Sequence, residues 1–171
     1  EGDDTLLGAA GDDLLDGGSG SDLVEQTVDA DQVLTDISLT GRGTDALSSI
    51  EAVDLVGGDG DNTLDAGGFT AGSVSLDGAA GHDTLTGGLQ ADLLTGGDGD
   101  DFLNGRGQND SLDGGPGDDL LFGGGAADTL SGGPGHDTLK GQGGRDSLNG
   151  SSGDDQLDGA GSSDTLVGGS G

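Results

Sequence analysis

From Asp83 to Asp164 every ninth residue is an aspartate: Asp83, Asp92, Asp101, Asp110, Asp119, Asp128, Asp137, Asp146, Asp155 and Asp164. Carboxylates at a fixed interval are hard oxygen donors, and the short Asp side chain can reach a metal ion from within its own turn. The choice of acid is informative. The chain holds 31 Asp but only three Glu (Glu1, Glu25 and Glu51), and Glu is the better helix former. Other chemistry is thinly supplied. His82 and His136, the only histidines, stand apart from any further ligand and read as solvated turn residues. Ser and Thr are frequent, yet no base is placed to activate one. Adjacent acids such as Asp100–Asp101 and Asp118–Asp119 are the raw material of a glycosidase, but read better as a ligand and its local field. No catalytic and no cofactor-binding side chain is assigned, and an enzyme is not expected.

The elements that must position these acids follow from the rest of the nonapeptide. From Gly78 to Val167 the chain divides into ten units without insertion, each with Gly at position 1, Asp at 6 and Leu at 8. The same unit occurs earlier as GAAGDDLLD (8–16), GGSGSDLVE (17–25) and GGDGDNTLD (57–65). Glycine, 42 of 171 residues, allows tight turns with positive φ and at this density forbids a helix. The segment around each Leu has period two, so Leu points inward and its neighbours outward.

A longer period is also visible. Odd units keep Gly at position 4 (Gly81, Gly99, Gly117, Gly135, Gly153), whereas most even units place it at position 3 (Gly107, Gly125, Gly143, Gly161). Position 5 alternates too: His82, Asp100, Asp118, His136 and Asp154 against Ala91, Asn109, Ala127, Arg145 and Ser163. Two units therefore make one coil with two unlike edges. The acid-rich edge is expected to hold metal more tightly.

This pattern, GGxGxDxUx, resembles the RTX, or haemolysin-type calcium-binding, repeat. The resemblance implies an all-β fold: a right-handed parallel β-roll or β-helix solenoid, in which six residues form a metal-binding turn, three form a strand, and two nonapeptides make a coil. It implies several Ca2+ ions. The expected ligands are Asp4, Asp13, Asp22, Asp45 and Asn62 together with the ten aspartates above. Backbone carbonyls of turn residues such as Gly96, Asp98, Gly99, Gly114, Pro116, Gly117, Gly132, Pro134 and Gly135 complete the set. Pairs eighteen residues apart, from Asp83/Asp101 to Asp146/Asp164 and at Asp4/Asp22, would share ions. Magnesium suits carbonyl-rich turns poorly because of its strict octahedron, and zinc lacks a His or Cys cluster. One small Leu per nonapeptide is a thin core against the cost of ordering nine residues, and stacked acidic turns repel one another. Folding is therefore expected to require calcium.

Three regions follow: N-terminal repeats over 1–25, irregular solenoid coils with few calcium turns over 26–77, and a regular roll over 78–171. In the middle region Ile37, Val53 and Val74 stand where Asp belongs, each two residues before a Leu (Leu39, Leu55, Leu76). They predict strands with two inward apolar residues, opposite Asp45/Leu47 and Asn62/Leu64, in coils of about 16–21 residues. Phe69 is expected to fill a longer loop, and 26–36 reads equally as a bulged coil or a loose excursion. Phe102, Leu120 and Phe122 should face outward together. Arg42, Arg106, Lys140 and Arg145 look isolated and solvating.

A formal charge of −30 repels nucleic acid, and no apolar run reaches the ~18 residues of a membrane span. Without cysteine there are no disulfides or thiolate sites. No signal-peptide pattern opens the chain, which starts inside a repeat (Glu1 at position 3) and stops inside one (Gly171 at position 4). It is expected to be a fragment, lacking polar caps and the C-terminal secretion signal usual in that family. The resemblance supports two roles outside a bacterial cell. One is the calcium-folded shaft of a secreted adhesin, surface-layer or filament protein, with end-to-end self-association and a surface or host ligand. The other is the calcium-binding module of a secreted protease, lipase or haemolysin.

Overall fold

The computed structural model describes residues 2–36, 38–41 and 43–171. Among them the chain forms nineteen strands and no helix, arranged as two sheets that face each other along a solenoid. One sheet stacks, in order, β1 (Thr5–Leu7), β3 (Leu23–Thr27), β7 (Ala52–Gly58), β9 (Ser73–Ala80), β11 (Leu93–Asp98), β13 (Ser111–Asp113), β15 (Thr129–Pro134), β17 (Ser147–Ser152) and β19 (Thr165–Val167). The other stacks β2 (Leu14–Asp16), β6 (Thr44–Ser48), β5 (Ser38–Thr40), β4 (Gln32–Thr35), β8 (Thr63–Gly68), β10 (Thr84–Thr86), β12 (Phe102–Arg106), β14 (Leu120–Gly125), β16 (Thr138–Gly143) and β18 (Gln156–Asp158). Successive strands within a sheet are parallel except around β5. The all-β parallel solenoid expected from the nonapeptide is the fold.

Over the regular block each residue faces its equivalent one coil on, as in Leu85↔Leu103↔Leu121↔Leu139 on one sheet and Leu94↔Leu112↔Leu130↔Leu148 on the other. All eight leucines are buried. Their β-strand neighbours point outward, as period two requires, so the core is two facing columns of Leu, one per nonapeptide. Phe102 and Phe122 do lie together on the outer face, with ring centroids 5.5 Å apart. Lys140 is not isolated: its Nζ sits 5.1 Å from the Phe122 ring centroid.

The middle region departs from a uniform coil. Val53, Leu55, Val74 and Leu76 are buried in β7 and β9, in register with one another, and Phe69 is fully buried. Between β3 and β7, which are neighbours in one sheet, the chain crosses to the other and runs β4, β5 and β6 as an antiparallel meander. Leu39 thus belongs to the middle of that meander, not to a strand equivalent to β7. Its expected companion Ile37 lies outside the described residues, as does Arg42. Residues 26–36 contribute β4, which pairs β8 with a bulge between Val33 and Thr35. The coil here is long, not 16–21 residues: turn to turn, Asp22 meets Glu51, 29 residues on.

Register shifts at the same place. Val24 faces Val53 and Gln26 faces Leu55, so the N-terminal repeats are offset by two residues from the rest. Gln26, and Gln32 opposite Leu64, occupy positions that are Leu elsewhere. Both are buried, and burial of an amide is tolerated only when it is hydrogen-bonded. Gln26 Nε2 donates to Gln32 Oε1 at 3.0 Å, and Gln32 Nε2 donates to the Val56 carbonyl at 3.0 Å, while Gln26 Oε1 is buried without a partner.

Candidate metal centres

In the regular block each strand is entered through a six-residue turn that ends on the repeat aspartate. Position 1 is glycine for a spatial reason. A Cβ built on Gly96 would fall 2.3 Å from Asp101 Oδ2 and 2.5 Å from the Gly114 carbonyl oxygen. The aspartate thus folds back over its own turn, and the carbonyl of the next coil points to the same spot. On both edges the left-handed residues of the regular block fall at positions 2 and 4, though turn 87–92 has none. On the acid-rich edge these are mostly glycine, such as Gly97 and Gly99. On the other edge Arg106, Gln108, Ala126, Gln142 and Ala160 take φ between 59° and 79°, while the position-3 glycines keep an ordinary φ. The displaced glycines mark a turn whose position 4 differs in φ, 68° at Gln108 and 76° at Ala126 against 131° at Gly99 and 148° at Gly117. They leave non-glycine residues in a region that costs about 1–2 kcal/mol each.

Two hydrogen-bond ladders run along the acid-rich edge in opposite senses. In the inner one, the repeat Asp accepts the main-chain N–H of its equivalent in the preceding coil: Asp101 Oδ1 from Asp83 at 2.7 Å, Asp119 from Asp101 at 2.8 Å, Asp137 from Asp119 at 2.9 Å. The second edge repeats this arrangement, as in Asp128 Oδ1 with Asp110 N–H at 2.8 Å. The outer ladder uses position 5 and points the other way. Asp100 Oδ1 accepts from Asp118 N–H, and Asp118 Oδ1 accepts from His136 N–H. His82 and His136 take part through Nδ1, which accepts the N–H of Asp100 at 2.8 Å and of Asp154 at 3.0 Å. The histidines are rungs of this ladder, not free turn residues. The acids at position 5 are exposed and face their own ladder, so they add charge to the edge without adding inner ligands.

The inner aspartates keep one oxygen without a protein partner. Oδ2 of Asp22, Asp83, Asp101, Asp110, Asp119, Asp128, Asp137, Asp146 and Asp155 is buried and makes no hydrogen bond. A buried carboxylate oxygen left in this state costs several kcal/mol unless a cation or proton meets it. Burial away from water raises the Asp110 and Asp119 carboxyls to about 7, opposed by the hydrogen bond from the preceding coil's N–H and reinforced by neighbouring carboxylates. Asp101 and Asp128 rise to about 6 for the same leading reason, and burial also raises Asp83, Asp92 and Asp137.

These donors fit calcium. Among the described residues no group of three or more His, Cys, Asp or Glu side chains converges, so each point offers few carboxylates and otherwise main-chain oxygen, a hard set suited to Ca2+. Gly96, Gly114 and Gly132 direct their carbonyls at the preceding coil's Gly and Asp pair. The Asp98, Pro116 and Pro134 carbonyls each accept an N–H from the preceding coil, namely Gly81, Gly99 and Gly117. Those of Gly99, Gly117 and Gly135 lie where a Cβ on the next coil's Gly117, Gly135 and Gly153 would fall. Calcium held by these oxygens would supply the positive charge that the buried, unpartnered Asp Oδ2 atoms lack.

Not every expected ligand is arranged alike. Asp92 Oδ2 accepts Gly88 N–H at 2.7 Å, Asp13 Oδ2 accepts Ala9 N–H, and Asn62 Oδ1 accepts Gly58 N–H. These three cap their own turns. Asp4 is exposed and gives its N–H to Asp22 Oδ1. Asp45 is buried and accepts Asp13 N–H, while Asp164, at the last coil, accepts Asp146 N–H. Arg106, expected to be free, donates from Nη1 to the Gly67 carbonyl at 2.7 Å and pins the long loop before Phe69. Two residues outside the motif were missed. Asp29 reaches Asn62 Nδ2 at 3.2 Å and Gly60 N–H, and Glu51 takes the place of a repeat Asp beside Asp22. Neither lies in a nonapeptide, so no spacing announces it.

Stacked carboxylate turns on both edges of a parallel β-solenoid define a calcium-binding structural repeat. The profile of the RTX calcium-binding nonapeptide repeat matches residues 1–24, 54–69, 77–112, 105–139 and 140–171. The chain belongs to that family. The match leaves out 25–53, where the meander lies. None of the curated proteins compared with the chain matches it.

Proposed function

We propose that this chain is a non-catalytic, calcium-folded section of a shaft in a secreted bacterial adhesin, surface-layer or filament protein. The observation that carries the reading is the row of buried, partnerless Asp Oδ2 atoms. They make the folded state electrostatically unfavourable until a cation enters, and favourable afterwards. Such a chain stays unfolded where calcium is scarce and orders where it is plentiful, which suits export followed by folding outside the cell. A structural role is supported by the fate of the histidines, whose Nδ1 atoms are occupied by main-chain N–H groups. Among the described residues no helix is long and apolar enough to cross a membrane. Circular dichroism with and without millimolar calcium, with magnesium as the control, tests the folding claim. A β-rich spectrum is expected only with calcium, and a folded spectrum in chelator would refute it.

The terminal strands of these 171 residues, β18 and β19, each pair on one side only, and Leu166 is 47% exposed. Unpaired parallel edges are templates for another chain, and a head-to-tail contact that does not close yields fibres. Calcium should therefore promote end-to-end association of this chain. Light scattering at several protein concentrations reads it, and a monomer at saturating calcium contradicts it.

A further inference from the structure

The coil boundary that joins the N-terminal repeats to the meander is built differently from every regular boundary. Turn 17–22 is a full nonapeptide turn, but the chain stacked on it is a tight corner, 48–52, with none of the motif glycines. Gly17 N–H donates to the Ser48 carbonyl, and both Glu51 and Ala52 N–H groups donate to the Asp22 carbonyl. Ser49 and Glu51 thus stand where position 1 and position 6 stand in a regular coil. Ser49 takes a left-handed φ of 55°, as turn residues do, and Ile50 between them is buried in the core.

The oxygens at this corner converge as at a regular site. A Cβ built on Gly17 would fall 2.3 Å from the Ser49 carbonyl oxygen and 2.5 Å from Asp22 Oδ2. Asp22 is 1% exposed, and that Oδ2 has no hydrogen-bond partner. Glu51 Oε2 is held against the same turn, accepting Asp22 N–H at 3.0 Å. This is the bond a repeat Asp makes elsewhere, reached here by a side chain one methylene longer. We infer that Asp22 Oδ2, the Ser49 carbonyl and the Glu51 carboxylate form a calcium site outside the nonapeptide pattern, which ties the N-terminal repeats to the rest of the solenoid. The donor set is two carboxylates and a carbonyl, all hard oxygen, and calcium's tolerance of irregular geometry admits it where magnesium's octahedron does not. Glu51 is exposed, so water completes the coordination and the site fills at higher calcium than the regular ones.

This inference rests on the calcium reading proposed above, and crystals of the full chain grown in calcium separate the two. The anomalous signal of calcium should show peaks at the regular turns and one more at the corner, about 2.3–2.6 Å from Asp22 Oδ2 and the Ser49 oxygen. Peaks at the regular turns with none at the corner overturn this inference alone. No peak anywhere overturns the calcium reading and this site with it. In solution, Glu51→Gln keeps the oxygen that accepts Asp22 N–H, so the coil boundary persists while the charge is lost. Equilibrium dialysis should count one calcium fewer per chain for Glu51→Gln, with an unchanged β-rich dichroism spectrum in calcium. An unchanged count refutes the role of Glu51.

Discussion

Alanine introduced at two glycines eight residues apart should act in opposite directions. Gly117 sits at position 4 of an acid-rich turn with φ +148°, and a Cβ there would lie 1.9 Å from the Gly99 carbonyl oxygen of the preceding coil. An ordinary C···O contact is about 3.3–3.6 Å, so the two coils would have to part by more than an ångström. That separation lengthens the bond from Gly99 N–H to the Pro116 carbonyl, now 2.9 Å. The left-handed backbone adds about 1–2 kcal/mol and the overpacking about 1–3 kcal/mol, giving a loss of about 2–5 kcal/mol for Gly117→Ala. Gly125, at position 3 on the other edge, keeps an ordinary φ, and its nearest neighbour would be the Arg106 carbonyl at 3.8 Å. Gly125→Ala should gain about 0.4–1 kcal/mol by restricting the unfolded chain. Urea unfolding at saturating calcium reads both. With a slope of about 1–3 kcal/mol per molar, the midpoint should fall by about 1 M or more for Gly117→Ala and rise by a few tenths for Gly125→Ala. Midpoints that move together would refute the account of which glycines the turn requires.

Acid should partly replace calcium. The folded-state values of Asp101, Asp110, Asp119 and Asp128 lie above the ordinary 3.8, so their contribution to stability is fully present below about pH 4 and is lost as pH rises through 6–7. Calcium-free protein should gain β structure by dichroism when taken from pH 8 towards 4.5, and a chain equally disordered at both ends contradicts this. Calcium affinity should fall over the same interval, because the ligands must shed protons first. Val74→Asp should destabilise the fold by about 3 kcal/mol or more, since Val74 is buried and gives its N–H to Asp92 Oδ1 at 2.9 Å, leaving a new charge beside an existing carboxylate. A variant that gained both an ion and thermal stability would show that the column does not change character at Val74.

The solenoid was legible because its physics repeats. Leu85, Leu94 and their successors need one inward side chain per strand, and the Asp101 and Asp119 ladders need equal spacing, so the period carries both core and turn. What escaped was whatever depends on one coil meeting an unlike one. The meander of β4, β5 and β6, the two-residue offset between Val24 and Val53, and the Gln26–Gln32 pair are each set by a single boundary and leave no period. Composition at positions 3 and 4 changes between edges, and φ at position 4 changes with it, from 131° and 148° at Gly99 and Gly117 to 68° and 76° at Gln108 and Ala126. The outer ladder was hidden too, because His82 and Asp100 share a role as acceptors that residue type alone does not disclose.

The meander also sets a direction. Between β3 and β7 one sheet advances by a single strand, while the other inserts three, β6, β5 and β4, between β2 and β8. At about 4.8 Å per strand that face is longer by about 10 Å at this one level, and the buried Leu34, Leu39 and Leu47 keep all three strands in the layer. Two sheets held a fixed distance apart can absorb unequal lengths only by fanning, like the stones of an arch. Fanning of this kind would turn the first two coils away from the axis of the regular block by an amount set by strand count.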